Sequence, residues 1–463
     1  MTENKIEVAS CTIKELFSEK IPDTTIFGEL EVPEYQRPYV WTEKEIDKLI
    51  ADLKDHHKKQ SDKPMYYLGS IILHKHDNKL SIIDGQQRLT TLAIIQHILD
   101  INKVPKVKYA TPATITHIKK NYNYLKGKKE ELNNLVNFDT LNVTLVVTNS
   151  EDDAYTFFET QNTGGVRLSG IDIIKAHHLR EIDSRGKRDE QYARIWEKQK
   201  NIKTVIEQLI KARRWNALFW KYVPLYRDEK GIKQTIIKDF SQKTLDRSQK
   251  AAYLQIISTN NYSSIQISPY KLAIRQPLAN GENFIDYLEQ FADLYQRLFI
   301  NESDAEISIE YYDFNKRIIK IVDGTAFLKE FYEIALMCYV NKYGVRNLLE
   351  ASYWIFRYTY SLRVSNAKMV FERSIPSFIE KGNYIFDIIL SSFNHEQLVN
   401  LLKQFKYEFN NENSEDNSVK KRFIGRVADF FQLPEISNTN KFDDYLKKGI
   451  EKKLDKGGNN GKI

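Results

Sequence analysis

Residues 81–99, SIIDGQQRLTTLAIIQHIL, run from an apolar stretch into a helical pattern, and the join is an acid, a glycine, two glutamines and an arginine. Where a strand hands over to a helix, the first backbone N–H groups of the helix lack partners, and with the helix dipole they make a natural anion site. Asp84 would end the strand, Gly85 would free the backbone, and the amides of Gln86, Gln87 and Arg88 would point out of the new helix. Arg88 adds a fork able to grip phosphate oxygens in pairs. Asp84 could hold a divalent ion, orient a water or cap the helix. The same residues also make a capped helix with an exposed arginine, and local pattern leaves both readings open.

Two further blocks carry candidate chemistry. In VPEYQRPYVW (32–41), Gln36 and Arg37 sit among three aromatics and between two prolines, which stiffen the segment. Such an arm could close its cation over a nucleotide. It could equally be a strand edge blunted by proline, with Tyr35, Tyr39 and Trp41 packed as core. In FFETQNTGGVRLSGIDIIKA (157–176), Gly164 and Gly165 after Asn162 form a turn whose amides could bind an anion or let a ligand approach, with Lys175 beyond the Asp172 cap. A helix–turn–helix corner needs the same glycines with no ligand.

The elements that must position these blocks follow from periodicity. TEKEIDKLIADL (42–53) places Ile46, Leu49, Ile50 and Leu53 on one helical face behind a Thr42/Glu45 capping box. YLGSIILHKHDNKLSIID reads as a hairpin, with an apolar run at 67–73, a turn at His76-Asp77-Asn78 and a second strand at 80–83. Leu89, Leu92, Ile95 and Leu99 line a helix starting just past Gly85. LNVTLVVT (141–148) reads as a strand, AYTFFETQN as a helix, and Ser169 with Asp172 as the N-cap of another. From about 190 to 405 the pattern is mostly helical, and SIQISPYKLAIRQPLANGENF (264–284) reads as a loop crossing between helical blocks. The polar stretch 410–421 separates a last short unit whose tail, from Lys447, reads as mobile. The expected architecture is α+β: a small α/β domain (1–185), a large helical domain (186–405) and a short C-terminal helical unit (406–463).

Composition narrows the classes. With 463 residues, 41% hydrophobic and 12% aromatic, the chain has material for more than one core and is not globally disordered. A formal charge of +7 from 69 basic and 62 acidic side chains permits nucleic-acid contact without demanding it. Two cysteines, Cys11 and Cys338, fit a reducing cytoplasm and make neither a disulfide framework nor a zinc site. The sequence has no signal-peptide core and no stretch approaching a membrane span, so no membrane partner is expected.

EYQRPYVW, YLGSIIL, IIDGQQRLTTL and FETQNTGGVRLSGIDIIKA occur in an order that resembles the DGQQR-motif domain of GmrS-type restriction subunits, catalogued as domain of unknown function 262 and related to the ParB-like nucleotide-binding fold. The blocks span about 35–176, and weaker likeness continues to about 390. The resemblance implies a domain that binds and hydrolyses an NTP, with Mg²⁺ as a companion, in a bacterial defence system against foreign DNA. Carried over by motif, Asp84, Gly85, Gln86, Gln87 and Arg88 form the nucleotide site, and Gln36 and Arg37 match an upstream QR pair. Glu159, Asn162 and Gly165 match an F-E-x-x-N-x-x-G block. Asp84, Arg88 and Glu159 are the expected catalytic set. No resident metal site is expected in the protein itself.

Many members of that family, or their gene partners, carry an HNH-type nuclease, which needs clustered His and Asn for a metal. After residue 178 this chain has only His395, so it is not expected to cut DNA, which leaves room for a separate nuclease or effector subunit. His74-Lys75-His76 reads as a solvated strand end rather than a ligand pair. For DNA, Lys119, Lys120, Lys128 and Lys129 lie in a lysine-rich segment interleaved with Tyr109, Tyr122 and Tyr124, and Arg213 and Arg214 stand beside Trp215. A solvated helix face explains such runs as well. The expected function is an NTP-dependent sensor or regulatory subunit, open to homo-oligomer formation. The alternatives are a non-catalytic ParB-like DNA-binding protein using nucleotide as a conformational ligand, and a pure protein-interaction subunit.

Overall fold

A computed structural model describes residues 6–33, 36, 38–58, 65–99, 107, 109, 112–150, 154, 169–182, 188–241, 253–258, 263–268, 272–321, 326–367, 369–412, 418–435 and 439–458. Arg37, Glu159, Asn162, Gly164, Gly165 and the expected helix AYTFFETQN lie outside these residues, Ala154 excepted. The chain divides into two units, Met1–Arg194 and Ile195–Ile463.

The first unit is built on strands β1 (Ile6–Thr12), β2 (Glu29–Glu31), β3 (Tyr66–His76), β4 (Lys79–Asp84) and β5 (Leu141–Thr148), in the sheet order β1-β5-β3-β4-β2. β1 is antiparallel to β5 and β3 to β4, whereas β5 with β3 and β4 with β2 are parallel. Its helices are α1 (Ile13–Phe17), α2 (Glu43–Lys58), α3 (Gln86–Ile98), α4 (Pro112–Lys126), α5 (Lys129–Leu135) and α6 (Gly170–Arg180). Alternation in β5 buries Leu141, Val143, Leu145 and Val147 against Ile46, Leu49, Ile50 and Leu53 of α2 and Leu89, Leu92 and Ile95 of α3 in one core. β3 and β4 form the expected hairpin, turning at Asp77, whose φ of 50° is a conformation that aspartate tolerates. At the start of α2 the Thr42 backbone N–H and hydroxyl donate to the Glu45 carboxylate, and Ser169, the expected N-cap of α6, bonds reciprocally with Asp172 in a capping box.

The remaining helices in chain order are α7 (Arg188–Lys198), α8 (Ile202–Arg214), α9 (Glu229–Phe240), α10 (Glu282–Tyr295), α11 (Ile309–Phe314), α12 (Ala326–Tyr343), α13 (Leu348–Ser365), α14 (Ser374–Glu380), α15 (Ile385–Ser391), α16 (His395–Gln404), α17 (Val419–Phe431) and α18 (Phe442–Gly458). α10 and α11 each run on into a π-helical turn, Gln296–Ile300 and Asn315–Ile319. α13 is the axis of the second unit's core, and its Trp354 and Arg357 are almost wholly buried. Arg357 donates to both Asp443 oxygens at 2.7 Å and to the carbonyls of Leu402 and Phe405 at 2.8 and 2.6 Å, which joins α13 to α16 and α18. The fold class is α+β, as expected.

Three expectations about organisation need correction. Residues 406–463 are not a separate unit: Phe430 and Phe431 of α17 pack on Phe314 and Tyr353, and Asp443 of α18 pairs with Arg357. The apolar faces of α17 and α18, beyond the polar stretch, pack on the same core as α13. The tail is helical to Gly458, with Leu446 and Ile450 buried. Within 264–284 a strand, β7 (Ser263–Ser268), pairs antiparallel with β6 (Tyr253–Ser258), an alternation too short to stand out from a loop. Among the described residues no helix is long and apolar enough to cross a membrane.

Candidate functional site

The junction between β4 and α3 is built as the motif requires. Gly85 has φ +94°, and a Cβ there would stand 2.9 Å from Ile71 Cγ1, so both conformation and space call for glycine. No side chain caps the start of α3 among the described residues, so the first-turn donors receive no substitute acceptor there. Gln86 is 5% exposed and its Oε1 is buried without a hydrogen-bond partner. An amide in that state costs free energy unless something satisfies it. Asp84 is half-buried at the strand end.

Gln87 binds the arm. Its Oε1 accepts from the backbone N–H groups of Val40 and Trp41 at 2.9 and 3.2 Å, and its Nε2 donates to the Pro38 carbonyl at 3.1 Å. Gln36 Nε2 donates to the Ile83 carbonyl at 2.9 Å, one residue before Asp84. Tyr39 is buried, with its hydroxyl 2.8 Å from Thr91 Oγ1 and receiving a 3.0 Å bond from Asn121 Nδ2, which also donates to the Trp41 carbonyl. Burial pushes the Tyr39 phenol up, so it stays a neutral hydrogen-bonding group at physiological pH. The structure thus brings Gln36 and residues 38–41 together with the DGQQR turn.

Arg88 differs from the expected exposed fork. Its Nη1 donates to the Leu68 carbonyl at 2.7 Å and its Nη2 to the Ser70 carbonyl at 2.8 Å, with Asp84 Oδ2 at 3.3 Å. Leu68 and Ser70 flank Gly69 (φ +104°), where the β3–β5 register shifts, so the ladder leaves carbonyls over and the guanidinium takes them. A Cβ on Gly69 would come 2.6 Å from Arg88 Nη1. Arg88 is therefore a brace between α3 and the bulged strand. Sequence reasoning missed this role, as it missed Thr91 and Asn121; no local pattern announces a buried polar partner from another element.

The expected DNA contacts separate into two groups. Lys119 and Lys129 are exposed. Lys120 lies 3.5 Å from Glu43, and Lys128 donates to Asp47 at 2.5 Å beneath the Tyr124 ring. The other group is spent internally, which corrects its reading as a phosphate-binding pair. Arg213 donates to the carbonyls of Ile274 and Gln276, and Arg214 forks onto Asp239 while also donating to the Tyr222 carbonyl. Beside Trp215 the two arginines tie α8 to neighbouring segments instead of facing solvent.

The histidine pair of β3 is also better partnered than a solvated strand end. His76 Nε2 lies 3.0 Å from both Glu31 Oε1 and Ser81 Oγ, and Glu31 Oε2 pairs with Lys79 at 2.8 Å. No group of three or more metal-ligating side chains occurs among the described residues.

Residues 13–179 match the family model described as GmrSD restriction endonuclease, N-terminal domain, a span that holds β2–β5 and the whole β4–α3 junction. Residues 188–418 match a family of unknown function, DUF7834. No curated protein matches the chain. The first unit, with the DGQQR turn at its centre, is thus similar to the N-terminal domain of GmrSD-type restriction endonucleases.

Proposed function

We propose that the chain is an NTP-binding and NTP-hydrolysing sensor or regulatory subunit of an anti-phage restriction system, acting with DNA and a separate effector. The observation that carries this reading is the start of α3: an uncapped helix N-terminus after a glycine turn, with the buried Gln86 side-chain oxygen unpartnered beside it. Phosphate oxygens on the first-turn amides would satisfy those donors and meet the positive end of the helix dipole. The Gln86 amide can turn its NH₂ toward them, since its two ends exchange by a flip. The likeness of residues 13–179 to a restriction endonuclease domain supplies the defence context.

Roles follow from position. Asp84, half-buried where the strand ends, would hold a water or a Mg²⁺ ion. A single carboxylate suits Mg²⁺, which keeps most of its waters and takes the rest of its ligands from phosphate. When bound, that ion would neutralise charge on the phosphates. The Gln87 and Gln36 side chains hold Gln36 and residues 38–41 against the turn, while Arg88 fixes α3 on β3. A second reading, binding without turnover in a ParB-like manner, is favoured by one fact: Arg88, the cation within the turn, already spends its hydrogens on carbonyls.

Phosphate release from each NTP, with and without DNA, separates these readings. Gln86→Leu should weaken triphosphate binding about tenfold, or ~1.4 kcal/mol. Asp84→Asn should lower turnover with binding kept. Triphosphate bound but never hydrolysed under any condition removes the hydrolase and leaves the conformational-ligand reading.

A further inference from the structure

Residues of α3 and α4, with Val107 and Tyr109, line an open groove of about 460 Å³ beside the first unit's core. This lies within the range of small-molecule sites. Ala93, Ile94, Val107 and Ile118 line it, and among the described residues no acidic side chain does. The rings of His97 and Tyr122 meet at its mouth with centroids 5.8 Å apart, and Tyr109 stands in its wall with its hydroxyl donated to Thr90 at 2.8 Å.

The cations around it are not equivalent. Lys120 and Lys128 have carboxylate partners in Glu43 and Asp47. Lys119 lines the cavity and Lys126 lies over the Tyr122 ring at 5.9 Å; both are exposed, and among the described residues no carboxylate pairs with either. They are seven residues apart on α4, roughly 10 Å along the axis, so one stands on each side of Tyr122. A purely apolar ligand leaves these two charges unused. A triphosphate needs donors converging on one end, and here the charges are divided between two. A flat base on an aromatic wall with a phosphate on either side uses every feature.

We infer that the groove between α3 and α4 seats one unpaired base of a nucleic-acid strand, with Lys119 and Lys126 taking the phosphates on either side. The inference rests on the DNA-contact half of the function proposed above and is independent of nucleotide binding at the start of α3. Base–aromatic stacking tolerates any sequence, and duplex DNA offers no free base to the groove.

The test uses the full chain and a short single-stranded oligodeoxynucleotide carrying one fluorescent adenine analogue. Binding should quench the analogue, and the same sequence as duplex should bind more weakly. Tyr122→Leu should weaken single-strand binding about 5- to 50-fold. Exchanging Lys119 and Lys126 together for glutamate should weaken it and flatten its salt dependence. Both lysines are exposed, so that variant reports even where Tyr122→Leu fails to fold. Lys120→Glu should change little. Wild-type affinity in the double-lysine variant, binding without quenching, or equal competition by free ATP would each overturn the groove assignment. Absence of binding to any nucleic acid would overturn it together with the DNA-contact reading, and phosphate release without DNA then reports on the nucleotide site alone.

Discussion

At the scale of single residues, four positions of DGQQR differ in what they do. Gly85 makes the turn, Gln87 secures the arm, Arg88 braces the bulge, and Gln86 is left with an unsatisfied buried oxygen. Arg88→Ala should destabilise the first unit by about 2–3 kcal/mol, because it strands the Leu68 and Ser70 carbonyls and removes a charge-assisted pair of bonds. Denaturant unfolding checks this. Arg88→Lys should recover less than half, since one ammonium cannot reproduce the fork. Unchanged stability with lost triphosphate binding would instead make Arg88 a phosphate contact. The sequence points to Arg88 but does not show its protein partners. Its carbonyl acceptors lie 20 and 18 positions upstream, in a bulge that only the folded sheet creates.

At the scale of elements, the short strand β2 shows how little backbone pairing can be sufficient when side chains assist. It pairs with β4 over three residues, and Glu31 adds bonds to Lys79, Ser81 and His76. Burial alone would raise the Glu31 carboxyl, but the bonds from Lys79, Ser81 and His76 outweigh it and hold the group below its ordinary value. A lowered carboxyl contributes stability above the ordinary glutamate range and loses it as pH falls through the folded value. Glu31→Gln should therefore cost about 1 kcal/mol at neutral pH, a cost that fades below roughly pH 4. Thermal unfolding of both proteins across pH 3–8 measures it; a difference that persists in acid contradicts the charged clamp. Elements with strong local signals were legible in advance: the β3–β4 hairpin from its polar turn, β5 from its strand-like run, α2 from its apolar face and α6 from its Ser169 N-cap. Partner choice was not. The parallel β5–β3 pairing, the β6–β7 hairpin, the Glu31–His76 contact and the burial of Arg214 depend on residues distant in sequence, which periodicity does not encode.

At the scale of the whole molecule, the two family matches, 13–179 and 188–418, fall one on each side of the division near residue 194, apart from the first residues of α7. The charged site lies within the first match, and the second unit is an aromatic-rich helical body in which Arg357 ties the C-terminal helix to the core. α+β organisation was readable from composition and period. That residues 406–463 belong to the second core was not, because a polar stretch resembles a boundary whether or not the chain returns. The central claim concerns the start of α3, and hydrogen exchange there tests it most directly, because first-turn amides have no acceptor inside their own helix. Peptides spanning 81–92 are followed with and without a non-hydrolysable triphosphate and Mg²⁺, in wild type and in Gln86→Leu. With triphosphate held near the wild-type Kd, the expected result is slower exchange at residues 86–88, and most of that protection lost in Gln86→Leu. Triphosphate binding that leaves 86–88 unprotected, or protection that survives undiminished in Gln86→Leu, would contradict the assignment.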